Sequence, residues 1–87
     1  MATRQSVKQC IEQCEMALEI AMHEYKDASA QEHYNDVGFS QSQSVLEEAY
    51  SQIEDLARSA NAEQREELQR MRRQIAQMQN QMVLIKH

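Results

Sequence analysis

Asn35-Asp36-Val37-Gly38-Phe39-Ser40 contains the only glycine in an 87-residue chain that has no proline. Glycine and proline are the usual punctuation between elements, so this hexapeptide is the one strong stop signal. Asn35 and Asp36 carry side chains that compete for backbone hydrogen bonds, and Gly38 tolerates positive φ. A turn over residues 35–40 is therefore predicted. Long Ala-, Glu-, Gln-, Met- and Leu-rich stretches lie on either side of it, and they read as two helical arms.

On the N-terminal side, Thr3 and Ser6 are both suited to cap a helix, since a side-chain oxygen there accepts from a free N–H of the first turn. Val7, Ile11, Cys14, Leu18, Ala21, Tyr25 and Ala28 then recur at spacings of four and three. That period holds one stripe on one helical face. Cys10, Ala17 and Met22 widen the stripe, and Met16 and Ile20 extend its flank. The predicted helix covers about residues 4–34, or about 45 Å at 1.5 Å per residue.

On the C-terminal side, Ser40 with Gln43 fits a capping box, with Ser42 as a rival cap. A stripe follows over Leu46, Ala49, Ile53, Leu56 and Ala60. A second one runs through Leu68, Met71, Ile75, Met78, Met82 and Ile85. Leu46 and Leu68 are three heptads and one residue apart, so an unbroken helix would have to absorb a skip. The mismatch falls at Ser59-Ala60-Asn61-Ala62, where Asn61 and Gln64 offer another capping box. The expected elements are helices over about 41–59 and 62–86. The fold class is all-α: an antiparallel helical hairpin whose second arm bends near Asn61, giving a three-helix bundle or a coiled-coil-like assembly in one domain, 1–87. Its core is expected to rest on Ile11, Leu18, Leu46, Ile53, Leu68 and Ile75.

Charge and composition fit that reading. Residues 1–60 carry four basic residues against eleven acidic ones, whereas residues 61–87 carry five basic against three acidic. A basic third helix would settle beside an acidic pair, although each surface ion pair contributes only about 0–1 kcal/mol. The formal net charge of −5 disfavours general binding to nucleic acid. No apolar run approaches the roughly 20 residues of a membrane span. The N-terminus lacks the apolar region of a signal peptide, so a cytoplasmic location is expected.

Reactive constellations are sparse. Cys10 and Cys14 stand one helical turn apart, but a closed zinc site takes four ligands and there is no other cysteine. Cys-x-x-x-Cys on a regular helix also aims the two Cβ atoms poorly for a disulfide. Buried core thiols are the plain reading, and a metal- or redox-responsive regulator using Cys10 and Cys14 is the alternative. Glu19, His23 and Asp27 share a helical face, yet His23-Glu24-Tyr25-Lys26-Asp27 lacks the second histidine of a zincin motif. Arg65, Arg70, Arg72 and Arg73 form the densest basic cluster. Arg72 and Arg73 flank Met71, where a helical seam places charged residues. No catalytic residue, cofactor site or metal site is expected.

The opening Met1-Ala2-Thr3-Arg4-Gln5-Ser6-Val7, the segment Gln31-Glu32-His33-Tyr34, and Ser59-Ala60-Asn61-Ala62-Glu63-Gln64-Arg65-Glu66 through Met71-Arg72 resemble the short YtzC-like proteins of Bacillus and related Gram-positive bacteria. The resemblance spans essentially the whole chain. It implies a helix-rich, cytoplasmic bacterial protein with a domain of unknown function, and it transfers no catalytic residue.

The functional expectation is a non-enzymatic protein–protein interaction or structural module. Its expected surface is Leu68, Met71, Ile75, Met78, Met82, Val83, Leu84 and Ile85. Met82-Val83-Leu84-Ile85 is wider than one facing helix covers, so a homodimer through this seam competes with folding back onto the first arm.

Overall fold

The computed structural model describes residues 2–31 and 36–85. They form three helices: α1 Arg4–Gln31, α2 Asp36–Ala57 and α3 Ala62–Ile85. Every pair of helices packs together. The bundle is 45 Å long and only 17 by 15 Å across, so the three axes lie side by side. The start of α1 sits at the α2–α3 junction, where the Ala2 N–H donates to the Ser59 carbonyl at 3.2 Å. That contact sets α1 against α2 in opposite directions, with α3 returning alongside α1.

Each helix begins or ends for a local reason. Thr3 caps α1: the Ser6 N–H donates to Thr3 Oγ1, and the Thr3 N–H donates back to Ser6 Oγ, both at 3.0 Å. Two groups left free by the first turn are thereby satisfied. The break expected near Asn61 is present. α2 stops at Ala57, and Asn61 and Gln64 form a reciprocal capping box. The Gln64 N–H donates to Asn61 Oδ1 at 2.8 Å, and the Asn61 N–H donates to Gln64 Oε1 at 3.0 Å. Arg65 reaches back from α3 and donates through Nε to the Ala57 carbonyl at 3.1 Å, which satisfies an acceptor at the end of α2.

The turn expected over residues 35–40 requires correction. Asp36 to Ser40 are already helical, so α2 begins five residues before the expected start at 41. Gly38 does not supply a positive φ. It lies in the first turns of α2, where the Glu24 carboxylate of α1 approaches so closely that a Cβ at Gly38 would sit 2.6 Å from Glu24 Oε1. Ser40 and Ser42 accordingly cap nothing. Ser42 is buried and its hydroxyl donates to the Gly38 carbonyl at 2.9 Å, one turn back. The expected end of α1 at Tyr34, the turn residue Asn35, and Lys86 at the expected end of α3 lie outside the described residues.

The core is three seams with the same spacing. α1 contributes Val7, Cys10, Cys14, Ala17 and Ala21; α2 contributes Phe39, Ser42, Leu46, Ala49 and Ile53; α3 contributes Leu68, Met71, Ile75, Met78 and Met82. Each alternates by three and four, the pattern of side-by-side helices. The seam of α1 is built mainly of small side chains and that of α3 of large ones, which suits a thin cross-section. Leu46, Ile53, Leu68 and Ile75 are buried as expected. Ile11 and Leu18 are only half-buried, and Cys10 and Ala17 take the central places instead. The two versions of the α1 stripe share Val7, Cys14 and Ala21. They differ in which neighbour faces inward: Cys10 and Ala17 are buried, and Ile11 and Leu18 stand at the rim of the core.

Candidate functional site

The α3 surface proposed from sequence is mostly interior. Leu68, Met71, Ile75, Met78 and Met82 are buried against α1 and α2. The seam that was offered to a partner is consumed by the chain's own fold, because two other helices are available to cover it. Of the expected surface only Val83 and Leu84 are exposed, at 48% and 74%. Ile85 closes α3, and its side chain lies outside the described residues.

Among the described residues the other exposed large apolar side chains stand on α1: Met16 at 62%, Ile20 at 45% and Met22 at 42%. Met16 and Ile20 line one wall of a groove between α1 and α2, whose far wall is Val45, Glu48 and Gln52 and whose floor is Ala17 and Ala49. Its volume is about 240 Å³. The same groove continues towards the start of α1 past Gln13 and Gln52 to Gln9, Ser6, Asp55 and Leu56, adding about 230 Å³. The sequence placed Met16 and Ile20 on a flank. The identity of the neighbouring helix, and so the groove, came only with the fold.

Cys10 and Cys14 are free and buried. Burial raises the Cys14 thiol to about 12, with further upward pushes from the neighbouring Cys10 and Glu15. Burial also raises Cys10, while a hydrogen bond from Cys14 works the other way. Both sulfurs therefore remain protonated at neutral pH. A thiol in this state is a poor nucleophile and a poor metal ligand. Among the described residues no group of three or more His, Cys, Asp and Glu side chains is placed to hold a metal ion. His23 and Asp27 lie 3.9 Å apart on an exposed face.

Two of the four arginines of the basic cluster are engaged within the fold. Arg65 is held at the end of α2 as described above. Arg72 donates through Nε to the Tyr50 hydroxyl at 2.8 Å, and its guanidinium carbon lies 5.2 Å from the Tyr50 ring centre. Arg70 and Arg73 share a shallow surface with Glu63, Glu66 and Glu67. This mixture offers no continuous positive stripe for a phosphate backbone. No helix among the described residues is long and apolar enough to cross a membrane.

Residues 1–84 match the family described as protein of unknown function (DUF2524). The chain belongs to this family. It is 48% identical over 84 residues to the uncharacterized protein YtzC of Bacillus subtilis (strain 168), a match that covers 97% of this chain and 93% of that protein. No solved structure matches the chain. The expected YtzC-like membership is thus established at the level of the family. The all-helical fold stands on the three helices described above.

Proposed function

We propose that this DUF2524 protein is a non-enzymatic helical interaction or structural module. The observation that carries the reading is the distribution of apolar side chains. The three seams close a complete core, yet Met16, Ile20, Val83 and Leu84 remain on the surface. Met16 and Ile20 flank an elongated groove rather than standing singly. Methionine in such a place suits an adaptable contact surface. The reactive side chains give no competing centre: the thiols are buried and protonated, Arg65 and Arg72 are tied to Ala57 and Tyr50, and Arg70 and Arg73 stand among glutamates.

The reading places the protein in the cytoplasm, supported by two free thiols, which fit a reducing compartment. Self-association through α3 would have to rest on its C-terminal end with Val83 and Leu84, since Leu68, Met71, Ile75, Met78 and Met82 are interior. The reading is tested by affinity capture of the intact chain from its native cells, with mass spectrometry. A partner enriched reproducibly, and lost when exposed apolar residues are made polar, supports it. Absence of any such partner across growth conditions refutes it.

A further inference from the structure

We infer that the α1–α2 groove is the docking site for a cationic amphipathic helix of another protein; this rests on the interaction reading above and names its partner's chemistry. Among the described residues a groove runs along each pair of helices, and the three differ in whether basic side chains line them. The α1–α3 groove is also acidic on balance, with Glu12, Glu15, Glu63 and Glu67, but Arg4 and Lys8 in its own lining would compete with a cationic partner for those carboxylates. The α2–α3 groove holds Arg58, Arg65 and Arg72 against the single carboxylate of Glu54, and Arg65 and Arg72 are hydrogen-bonded within the fold. The α1–α2 groove is lined by Glu48 and Asp55, with no lysine or arginine on either of its two sections. All of α2 from Asp36 to Ala57 lacks a basic residue.

The shape of the groove fits a helix. From Ser6 to Ile20 along α1 it extends about 21 Å, at 1.5 Å per residue, which is about four helical turns. Ala17 and Ala49 keep the floor low, so a fourth helix can approach both α1 and α2. Leucine-sized side chains at helical spacing would rest on Met16, Ile20 and Val45. Lysine or arginine on the edges of the same helix would meet Glu48 and Asp55. Binding of an amphipathic helix in a groove is a common recognition mode, read through anchors at i, i+3 or i+4, and i+7. A second copy of the chain is a poor occupant. Symmetric pairing would set one cation-free, acidic groove against another, and the like charges repel.

The test uses the intact chain and a fluorescein-labelled 14-residue peptide of leucine and lysine at amphipathic helical spacing, followed by fluorescence anisotropy. The control peptide has glutamate at every lysine position. Saturable binding of the lysine peptide, weakened about tenfold by Met16→Ser/Ile20→Ser and little changed by Val83→Ser/Leu84→Ser, is the expected result. Glu48→Gln/Asp55→Asn should weaken binding and flatten its salt dependence. Equal binding of the glutamate peptide, or affinity indifferent to Met16 and Ile20, overturns the inference. Circular dichroism of each variant guards against loss of fold, and a photoreactive leucine in the peptide should label the groove of the unmodified chain. A photocrosslinker at position 84 or 16 of the protein in its native cells separates the two readings. Partner adducts from position 84 with none from position 16 overturn the groove assignment and leave the interaction reading standing. Adducts from neither position remove both.

Discussion

The Glu24 carboxylate of α1 occupies the space that a side chain at Gly38 of α2 would need, with Oε1 2.6 Å from where the Cβ would stand. Gly38 lies in the first turns of α2, where N–H groups are left over and negative charge is favoured. The lone glycine of the chain is thus a site of close approach between two helices.

Gly38→Ala puts two opposing effects into one substitution. Alanine in place of glycine stabilises a helix by about 0.5–1 kcal/mol. Displacing the carboxylate from the helix start costs about 0.3–1 kcal/mol. Urea unfolding should therefore show little net change in the native background. In a Glu24→Ala background the same substitution should stabilise by about 0.5–1 kcal/mol, because nothing has to move. Equal effects in both backgrounds in the double-mutant cycle would show that the contact is energetically silent.

The inward faces of α1 and α3 predict unequal responses to truncation. Leu68 and Ile75 are fully buried, so Leu68→Ala or Ile75→Ala should cost about 2–5 kcal/mol. Leu18 and Ile11 are half-buried at the rim, and their alanine variants should lose clearly less, about 1–2 kcal/mol. Chemical denaturation of the four variants checks the order. Equal losses for Leu18 and Leu68 would return Leu18 to the core.

That contrast marks what the residues alone disclose. The α3 seam and the Asn61–Gln64 cap were legible because large apolar side chains and a capping pair leave a strong periodic trace. The α1 register was not, because Cys10 and Ala17 compete with the more hydrophobic Ile11 and Leu18 one position away. Only the spacing of the facing helices decides between them. Gly38 misled for a related reason: a glycine needed for close approach and one needed for a turn look the same without the neighbouring helix. The groove beside Met16 likewise depends on which helix lies next to α1, and periodicity within one helix does not contain that.

Asn61 is the hinge pin of the α2–α3 connection, since its side chain and backbone both exchange hydrogen bonds with Gln64. Asn61→Ala should destabilise the protein by about 1 kcal/mol, and Asn61→Ser, which keeps a capping oxygen, by much less. Thermal unfolding of the two variants compares them. A harmless Asn61→Ala would mean that α3 is positioned by packing alone.

Arg72 and Tyr50 join α3 to α2 by a hydrogen bond and by the cation over the ring. Tyr50→Phe removes the hydroxyl and keeps the ring, whereas Arg72→Lys keeps the charge and loses the planar donor. Each should cost about 0.5–1 kcal/mol, with the double variant close to the larger single loss. Fully additive losses in equilibrium unfolding would show that the two side chains do not act on one another.

Cys14 gives the stability of the bundle a pH dependence whose sign follows from its raised titration. The unfolded chain releases the Cys14 proton near the ordinary value of 9.0, while the folded chain holds it to about 12. Between those values the folded state binds more protons than the unfolded one, so stability falls as pH rises. Below that window the contribution of the neutral, buried thiol is complete. Urea unfolding of the native chain should lose more stability between neutral pH and pH about 10 than Cys14→Ala does, which isolates this thiol from the other groups that titrate there. In the same state both sulfurs should react with an aromatic disulfide reagent only as fast as the bundle opens, and zinc should not raise the melting temperature. Fast labelling of the folded chain at neutral pH, or a zinc-dependent rise in melting, would restore Cys10 and Cys14 as a reactive pair.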